Sequence, residues 1–342
     1  MRVRIGDVAR QAQVSTITAS RALSNPGLVT SKTRERVLRA AQELGYVPNR
    51  LARGLRSGKT HTVAVLTTDT QQRLNTLKLD QLHRELLRHG YQTLLLVQQA
   101  GEENSSPSLI AACRDMIDGL VLCCLEGGPS MEEVTSLNAA GVSVVSLEHL
   151  SGLEIDVVTA DRAHGSYIAT RHLLALGHTD VALGQIALDS EVVERRASGY
   201  RRAMEEAGYT PRIAARPAGG VSSFEDGYRL MQEAREAGIQ PSAWLFSDDE
   251  LAIGAMRALE DQGVRVPEDV AIIGWDNSPL CEYIRPRLSS ITQPVQETVR
   301  RLIQRLLERM NGRADAATLS LVPPELVVRE SCGTGMRLSS SQ

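Results

Sequence analysis

Aromatic side chains are scarce in this 342-residue chain: two Phe, two Trp and seven Tyr amount to 3% of it. So few rings leave little to stack against a flat heterocycle. The five cysteines, Cys113, Cys123, Cys124, Cys281 and Cys332, are odd in number, scattered, and without C-x-x-C spacing. That pattern argues against both a disulfide framework and a zinc site. The seven histidines form no H-x-x-x-H pair and have no cysteine partners, so neither a metal nor a cofactor is expected. No G-x-S-x-G elbow, G-x-G-x-x-G turn or complete G-x-x-x-x-G-K-[S/T] P-loop occurs, which speaks against an enzyme. No run of about 18 apolar residues exists, and Met1-Arg2-Val3-Arg4 leads into a charged amphipathic pattern. The expectation is a cytoplasmic protein with no membrane partner.

Charge is distributed unevenly. Residues 1–60 carry 12 Lys/Arg against 3 Asp/Glu, leaving 26 against 38 for the remainder, although the whole chain is formally only -3. A basic head suits a polyanion such as DNA, because each neutralised phosphate releases counterions. At this length two or three domains are expected.

In the head, Ile5, Val8, Ala9 and Ala12 recur at helical spacing, with Asp7 in the opening turn. After Gln13 and Val14 a second helix opens, with Ser15 or Thr16 as its N-cap. Ala19, Ala22 and Leu23 form its apolar face, while Ile17 and Arg21 project from another side. Two helices joined by so short a link make a helix-turn-helix. Asn25-Pro26-Gly27 turns the chain, Thr30 or Ser31 caps a third helix carrying Val37, Ala41 and Leu44, and Gly45 with Pro48 ends it. The next stretch, N-R-L-A-R-G-L-R-S-G-K over 49–59, reads by composition as a solvated basic tether able to order on binding.

Beyond Thr60 apolar runs alternate with amphipathic stretches. Buried strands are expected at Val63–Leu66, Tyr91–Val97, Gly119–Leu122, Val142–Leu147, Val157–Ala160, Val181–Gly184, Ala243–Phe246 and Val270–Gly274. Helical patterns lie between them, at Leu77–His89, Ser130–Ala140 and Tyr167–Leu176. Such alternation implies parallel sheets covered on both faces, here in two runs, with a ligand cleft at the strands' carboxyl ends.

Several stretches resemble the LacI/GalR family of bacterial transcription regulators: I-G-D-V-A-R-Q-A-Q-V-S-T-I-T-A-S-R-A-L-S-N-P, K-T-R-E-R-V-L-R-A-A-Q-E-L-G-Y-V-P-N-R-L-A-R-G-L, D-D-E-L-A-I-G-A-M-R-A-L, G-V-R-V-P-E-D-V-A-I-I-G-W-D-N and P-P-E-L-V-V-R-E-S. The resemblance implies an all-α helix-turn-helix head and an α/β periplasmic-binding-protein-like body of two doubly wound parallel-sheet subdomains. It divides the chain into a DNA-binding domain at 1–45, a hinge at 46–60, an N-terminal subdomain at 61–160 and 291–320, a C-terminal subdomain at 161–290 and 321–332, and a loose tail at 333–342. It further implies a homodimer as the minimum unit, with a tetramer left open, and control of operator binding by a small effector.

For DNA the resemblance implies base contacts from Thr16, Ile17 and Arg21, with Ser15, Thr18 and Ser20 near phosphates. It also turns the tether into a hinge helix entering the minor groove, with Leu55 as a wedge between base steps and Asn49 and Arg53 beside it. In the body it implies effector contacts from Thr68, Glu148, Asp161, Arg196, Asp248 and Asp276, with Asp161 equally able to cap the following helix. The chain departs from the family pattern at Asp248 and Arg162, where asparagine is usual, and at Ser222, where an aromatic is common. With few rings to stack on, a purine is disfavoured and a polyhydroxylated effector, a sugar or sugar acid, is expected. Induction and corepression both remain open, as do the less favoured classes of sugar-processing enzyme and sugar receptor.

Overall fold

The computed structural model describes residues 3–24, 26–46, 59–68, 73–98, 106–123, 129–150, 152–187, 191–217, 222–313 and 315–333. The expected hinge contacts Asn49, Arg53 and Leu55, and the tail beyond residue 333, lie outside the described residues. The chain divides into two compact units, 1–60 and 61–342.

The first unit contains α1 (Ile5–Gln11), α2 (Thr16–Ser24) and α3 (Ser31–Glu43). Their starts follow from capping. Asp7 accepts the Arg4 N–H at 2.9 Å, Ser15 Oγ accepts that of Thr18 at 3.1 Å, and Thr30 Oγ1 accepts that of Thr33 at 3.3 Å. Gln13 turns the chain between α1 and α2 with φ 50, and Gly45, at φ 63, follows α3 where a left-handed residue is needed. Val8, Ala9, Ala12, Ala19, Ala22, Val37, Ala40 and Ala41 form the core. Mostly alanine contacts let three short helices approach closely.

In the second unit, one six-stranded sheet contains β1 (Thr62–Thr67), β2 (Gln92–Val97), β3 (Gly119–Leu122), β4 (Ser143–Ser146), β5 (Asp156–Ala160) and β11 (Leu319–Val322), ordered β11-β5-β4-β3-β1-β2 and wholly parallel. One face is covered by α4 (Arg73–Arg88) and α12 (Val295–Met310), the other by α5 (Ser106–Cys113) and α6 (Met131–Ala139). A second sheet contains β6 (Val181–Ala187), β7 (Arg212–Pro217), β8 (Ala243–Phe246), β9 (Ala271–Trp275), β10 (Ser289–Thr292) and β12 (Glu325–Val327), ordered β12-β10-β9-β8-β6-β7. Here α7 (Arg162–Ala175) and α8 (Glu191–Glu206) lie on one face, and α9 (Phe224–Glu236) and α10 (Asp249–Asp261) on the other. The short α11 (Leu280–Tyr283) follows β9.

The expected head and doubly wound body are both present, with one exception to the parallel rule. Strand β12 pairs antiparallel to β10. It enters the second sheet directly from β11 of the first, with only Pro323-Pro324 between them. Three connections join the sheets: β5 to α7, β10 to α12, and β11 to β12. The divisions expected at 291 and 321 fall inside β10 and β11.

Candidate functional site

On α2 the apolar and polar faces separate cleanly. Ala19 and Ala22 are buried, whereas Thr16, Ile17 and Arg21 are exposed, Ile17 by 65%. An isoleucine so exposed on a helix whose core face is already filled is available to a partner. Ser15 is exposed and hydrogen-bonded to the Thr18 hydroxyl at 2.8 Å, and Thr18 and Ser20 are half-buried.

In the body the topology gathers the expected effector residues at one end of the two sheets. Thr68 follows β1, Glu148 lies just beyond β4, Asp161 follows β5, Asp248 lies beyond β8 and Asp276 follows β9. All five sit past carboxyl ends of parallel strands, where peptide groups and helix starts point into the crevice. Arg196 comes from the second turn of α8.

Their circumstances differ. Both Glu148 oxygens are engaged: Lys78 reaches Oε1 at 3.0 Å and Arg162 reaches Oε2 at 2.6 Å, with all three side chains under 10% exposed. Burial alone would raise the Glu148 carboxyl, but Arg162 and then Lys78 outweigh it and hold the group below the usual carboxylate range. Arg162 also donates to Thr159 at 2.7 Å. Since α7 packs on the second sheet and Glu148 extends from the first, this cluster crosses between the subdomains. Asp161 caps α7, accepting the His164 N–H at 3.0 Å, the alternative role left open for it. Asp248 likewise caps α10 through the Leu251 N–H at 2.8 Å, and burial, reinforced by Asp276, pushes its carboxyl up.

Arg196 and Asp276 form the least satisfied pair. The guanidinium lies 5.0 Å above the Trp275 ring, and its contact with Asp276 Oδ1 is 4.0 Å, beyond hydrogen-bond distance. Its Nε is buried without a partner, and burial pulls its affinity for a proton below the ordinary arginine value. Asp276 Oδ1 accepts from Gln293 Nε2 at 2.6 Å. The Trp275 indole N–H and Gln185 Oε1 are also buried and unpaired. Gln185, Ser247 and Trp275 occupy one row across β6, β8 and β9, because Gly184 pairs with Phe246 and Leu245 with Ile273. A further link between subdomains joins His149, beyond β4, to Glu191 at the start of α8.

Lys78, Gln185, Gln293 and the His149–Glu191 pair were not singled out from the sequence. Lys78 left a signal: it stands with Asn75, Leu82 and Leu86 on the buried stripe of α4, where a lysine demands a buried carboxylate. Among the described residues no cluster of His, Cys, Asp and Glu could hold a metal, and no helix is long and apolar enough to cross a membrane.

Comparison with known proteins agrees with the fold. Residues 4–49 match the model of bacterial regulatory proteins of the lacI family, and residues 170–332 that of a periplasmic binding protein-like domain. The ribose operon repressor of Haemophilus influenzae is 30% identical, over 95% of this chain and 97% of that one. The HTH-type transcriptional repressor PurR of Vibrio vulnificus is also 30% identical, over 96% and 98%. The Lac repressor dimer bound to operator and the anti-inducer ONPF superimposes with a TM-score of 0.86 at 25% identity, covering 97% of this chain and 99% of that one. The chain belongs to the LacI family of bacterial regulatory proteins, DNA-binding transcriptional regulators with an effector-binding body.

Proposed function

We propose that this regulator represses genes of carbohydrate or sugar-acid catabolism and leaves a pseudo-palindromic operator when a polyhydroxylated effector enters the cleft of its body. The supporting observation is the buried Arg196 guanidinium, stacked on Trp275 with an unfilled Nε, opposite Asp276. A buried donor without an acceptor costs on the order of 1–3 kcal/mol, and a ligand oxygen there recovers it. With Arg196 donating and Asp276 and Asp248 accepting, the set matches hydroxyl groups, which do both. The scarcity of rings favours such a ligand over a flat one, and one relative carries the name of a ribose operon repressor.

On DNA, Thr16, Ile17 and Arg21 read base edges in the major groove, Ser15, Thr18 and Ser20 position the backbone, and Asn49, Arg53 and Leu55 engage the minor groove. Two copies present two such helices, consistent with the operator-bound dimer of the Lac repressor. Effector release requires unequal affinity for the DNA-competent and incompetent forms. The links Glu148 to Arg162 and His149 to Glu191 span the subdomains and would have to rearrange between those forms.

A thermal-shift screen with D-ribose, D-galactose, D-gluconate and related sugars and sugar acids, followed by operator titration, tests the proposal. Saturation at about 100 times Kd stabilises the native state by about 2.7 kcal/mol. The expected result is a compound that raises the melting temperature and weakens operator binding. Tighter operator binding would mean corepression instead. A panel that changes neither quantity rejects the sensing role.

A further inference from the structure

Behind the Asp276 carboxylate the backbone takes a form that side chains resist. Asp276 and Asn277 stand consecutively at φ 98 and 52, in the left-handed region. Such residues persist only where their surroundings over-determine them. Here three successive amide groups are each held by a different residue. The Asp276 N–H donates to the Ile291 carbonyl at 2.8 Å, the Asn277 N–H to Ser290 Oγ at 3.0 Å, and the Ser278 N–H to Asp249 Oδ2 at 2.6 Å. Ser290 in turn donates its hydroxyl to Asp249 Oδ1 at 2.6 Å. Two of the three ties therefore converge on one carboxylate.

Asp249 is the first residue of α10 and only 2% exposed. It is pressed against β9: a Cβ at Gly274 would stand 2.4 Å from Asp249 Oδ1, so only glycine leaves room for it. From the other side Arg329 donates to Asn277 Oδ1 and to the Leu288 carbonyl, each at 2.7 Å. The turn thus has a fixed back, and its front, the Asp276 side chain, faces Gln293 and Arg196.

We propose that Asp249 is a positioning residue for the effector site: through the Ser278 amide and Ser290 it holds the left-handed turn that aims the Asp276 carboxylate into the cleft. The proposal rests on the reading that Asp276 meets the effector. Asp249 itself touches no ligand. Its neighbour Asp248 caps the same helix and faces the cleft, so adjacent carboxylates in one D-D-E segment divide the work between contact and support.

The device is sensitive to protons. Burial, with the Asp276 charge adding to it, pushes Asp249 up to about 7. The charged and titratable groups facing it are Asp276 from the turn after β9 and Cys281 from α11, whose thiol is itself pushed up to about 12 by burial and then by Asp249. Arg329, beyond β12, acts on that thiol and on Asn277. When ionised, Asp249 accepts from both Ser278 and Ser290. When protonated, one oxygen becomes a donor and Ser290 must reorient, which loosens the tie to Asn277. The turn therefore tightens as the pH rises through about 7. A ligand that hydrogen-bonds Asp276 lessens the repulsion between the two carboxylates, so binding releases a proton from Asp249.

The test needs no effector, so a failed sugar screen leaves it intact, and its own failure leaves the sensing role standing. In full-length, isotope-labelled protein, amide resonances of Asn277 and Ser278 and the side-chain amide of Gln293 are followed from about pH 5.5 to about pH 8.5, together with hydrogen exchange. Wild type is expected to show Asn277 and Ser278 titrating together near 7. Asp249→Asn should abolish that titration, lower protection at Asn277 and Ser278 by about tenfold or more, and shift the Gln293 amide. Ser290→Ala should retain the titration at Ser278 and lose it at Asn277. Flat Ser278 and Asn277 resonances in wild type, or a Gln293 amide unmoved in both variants, would overturn the proposal. Should Asp249→Asn not fold, the wild-type titration and Ser290→Ala decide between the same outcomes.

Discussion

Glu148 and Arg162 meet at 2.6 Å with 7% and 4% of their side chains exposed, and Lys78 closes the other carboxylate oxygen at 3.0 Å. Two cations therefore share one buried anion. Removing that anion leaves two buried positive charges facing each other, a change of the kind that costs about 3–5 kcal/mol. Glu148→Gln should lower the urea midpoint accordingly. The pH dependence follows from the depressed carboxyl: its contribution is present above the ordinary value of 4.5 and is lost as the pH falls through the lower value of the folded state. The gap between wild type and Glu148→Gln, measured by urea unfolding, should thus be widest near neutrality and shrink in acid. An equal gap at every pH would show that the side chain acts by packing alone.

Asp161 supplies a contrast, because its carboxylate is engaged at the start of α7. Losing an N-cap costs about 0.5–2 kcal/mol, whereas asparagine caps nearly as well. Asp161→Ala should lower the melting temperature and Asp161→Asn should barely move it. A folded Asp161→Asn protein that no longer answers to effector would show that Asp161 contacts the ligand as well as capping the helix.

For Arg196 charge is not the property that matters most. Lysine retains the positive charge but loses the planar fork and the stack on Trp275. Arg196→Lys should weaken effector affinity by about tenfold or more, equivalent to about 1.4 kcal/mol. Isothermal titration with whichever screened sugar releases operator from wild type gives the comparison, and an unchanged Kd would place the ligand elsewhere.

Local patterns made the head legible in the sequence: Ile5, Val8 and Ala9 lie within one helix that Ala12 closes, and Ala19, Ala22 and Leu23 lie within the next. Central strands such as V-A-V-L were equally plain, being buried on both faces. Of the edge strands, β2 was legible through L-L-L-V, but β7, β11 and β12 were not. R-I-A-A-R-P of β7 and E-L-V of β12 have one neighbour each and carry no continuous apolar run. The carboxylates of the cleft could be placed at strand ends, yet their tasks could not be separated. Glu148 is neutralised by a lysine 70 positions away, and Asp248 and Asp249 differ only in which way one helical start turns them. Such distinctions depend on long-range packing, which residue spacing does not encode.

Leu55 offers a test of the hinge. A wedge between base steps unstacks them at a cost of a few kcal/mol and gains a bent site with more contact, a return available only on a sequence that kinks easily. Leu55→Ala should therefore weaken operator binding much more than binding to random DNA, by about 1–3 kcal/mol at fixed salt. Equal losses on both DNAs in a titration would reject the wedge.

Thr16 and Ile17 carry the most specific claim about DNA. Both are exposed, Thr16 in the opening turn of α2 and Ile17 on the face opposite Ala19 and Ala22, and Arg21 is exposed one turn beyond Ile17. Ile17 has no hydrogen-bonding atom beyond its backbone, so it can only pack on a thymine methyl or exclude a polar alternative. Arg21 can present a bidentate fork to guanine O6 and N7, a pairing that discriminates by about 1–3 kcal/mol. Exchanging Thr16 and Ile17 for other side chains should therefore change which bases are selected, while Arg21→Lys should relax a single position without moving the others. Because the helix is held by the alanine core rather than by these residues, the head should stay folded in each case. A binding selection that returns the same preferred bases for the exchanged protein would mean that another surface of the head reads the operator.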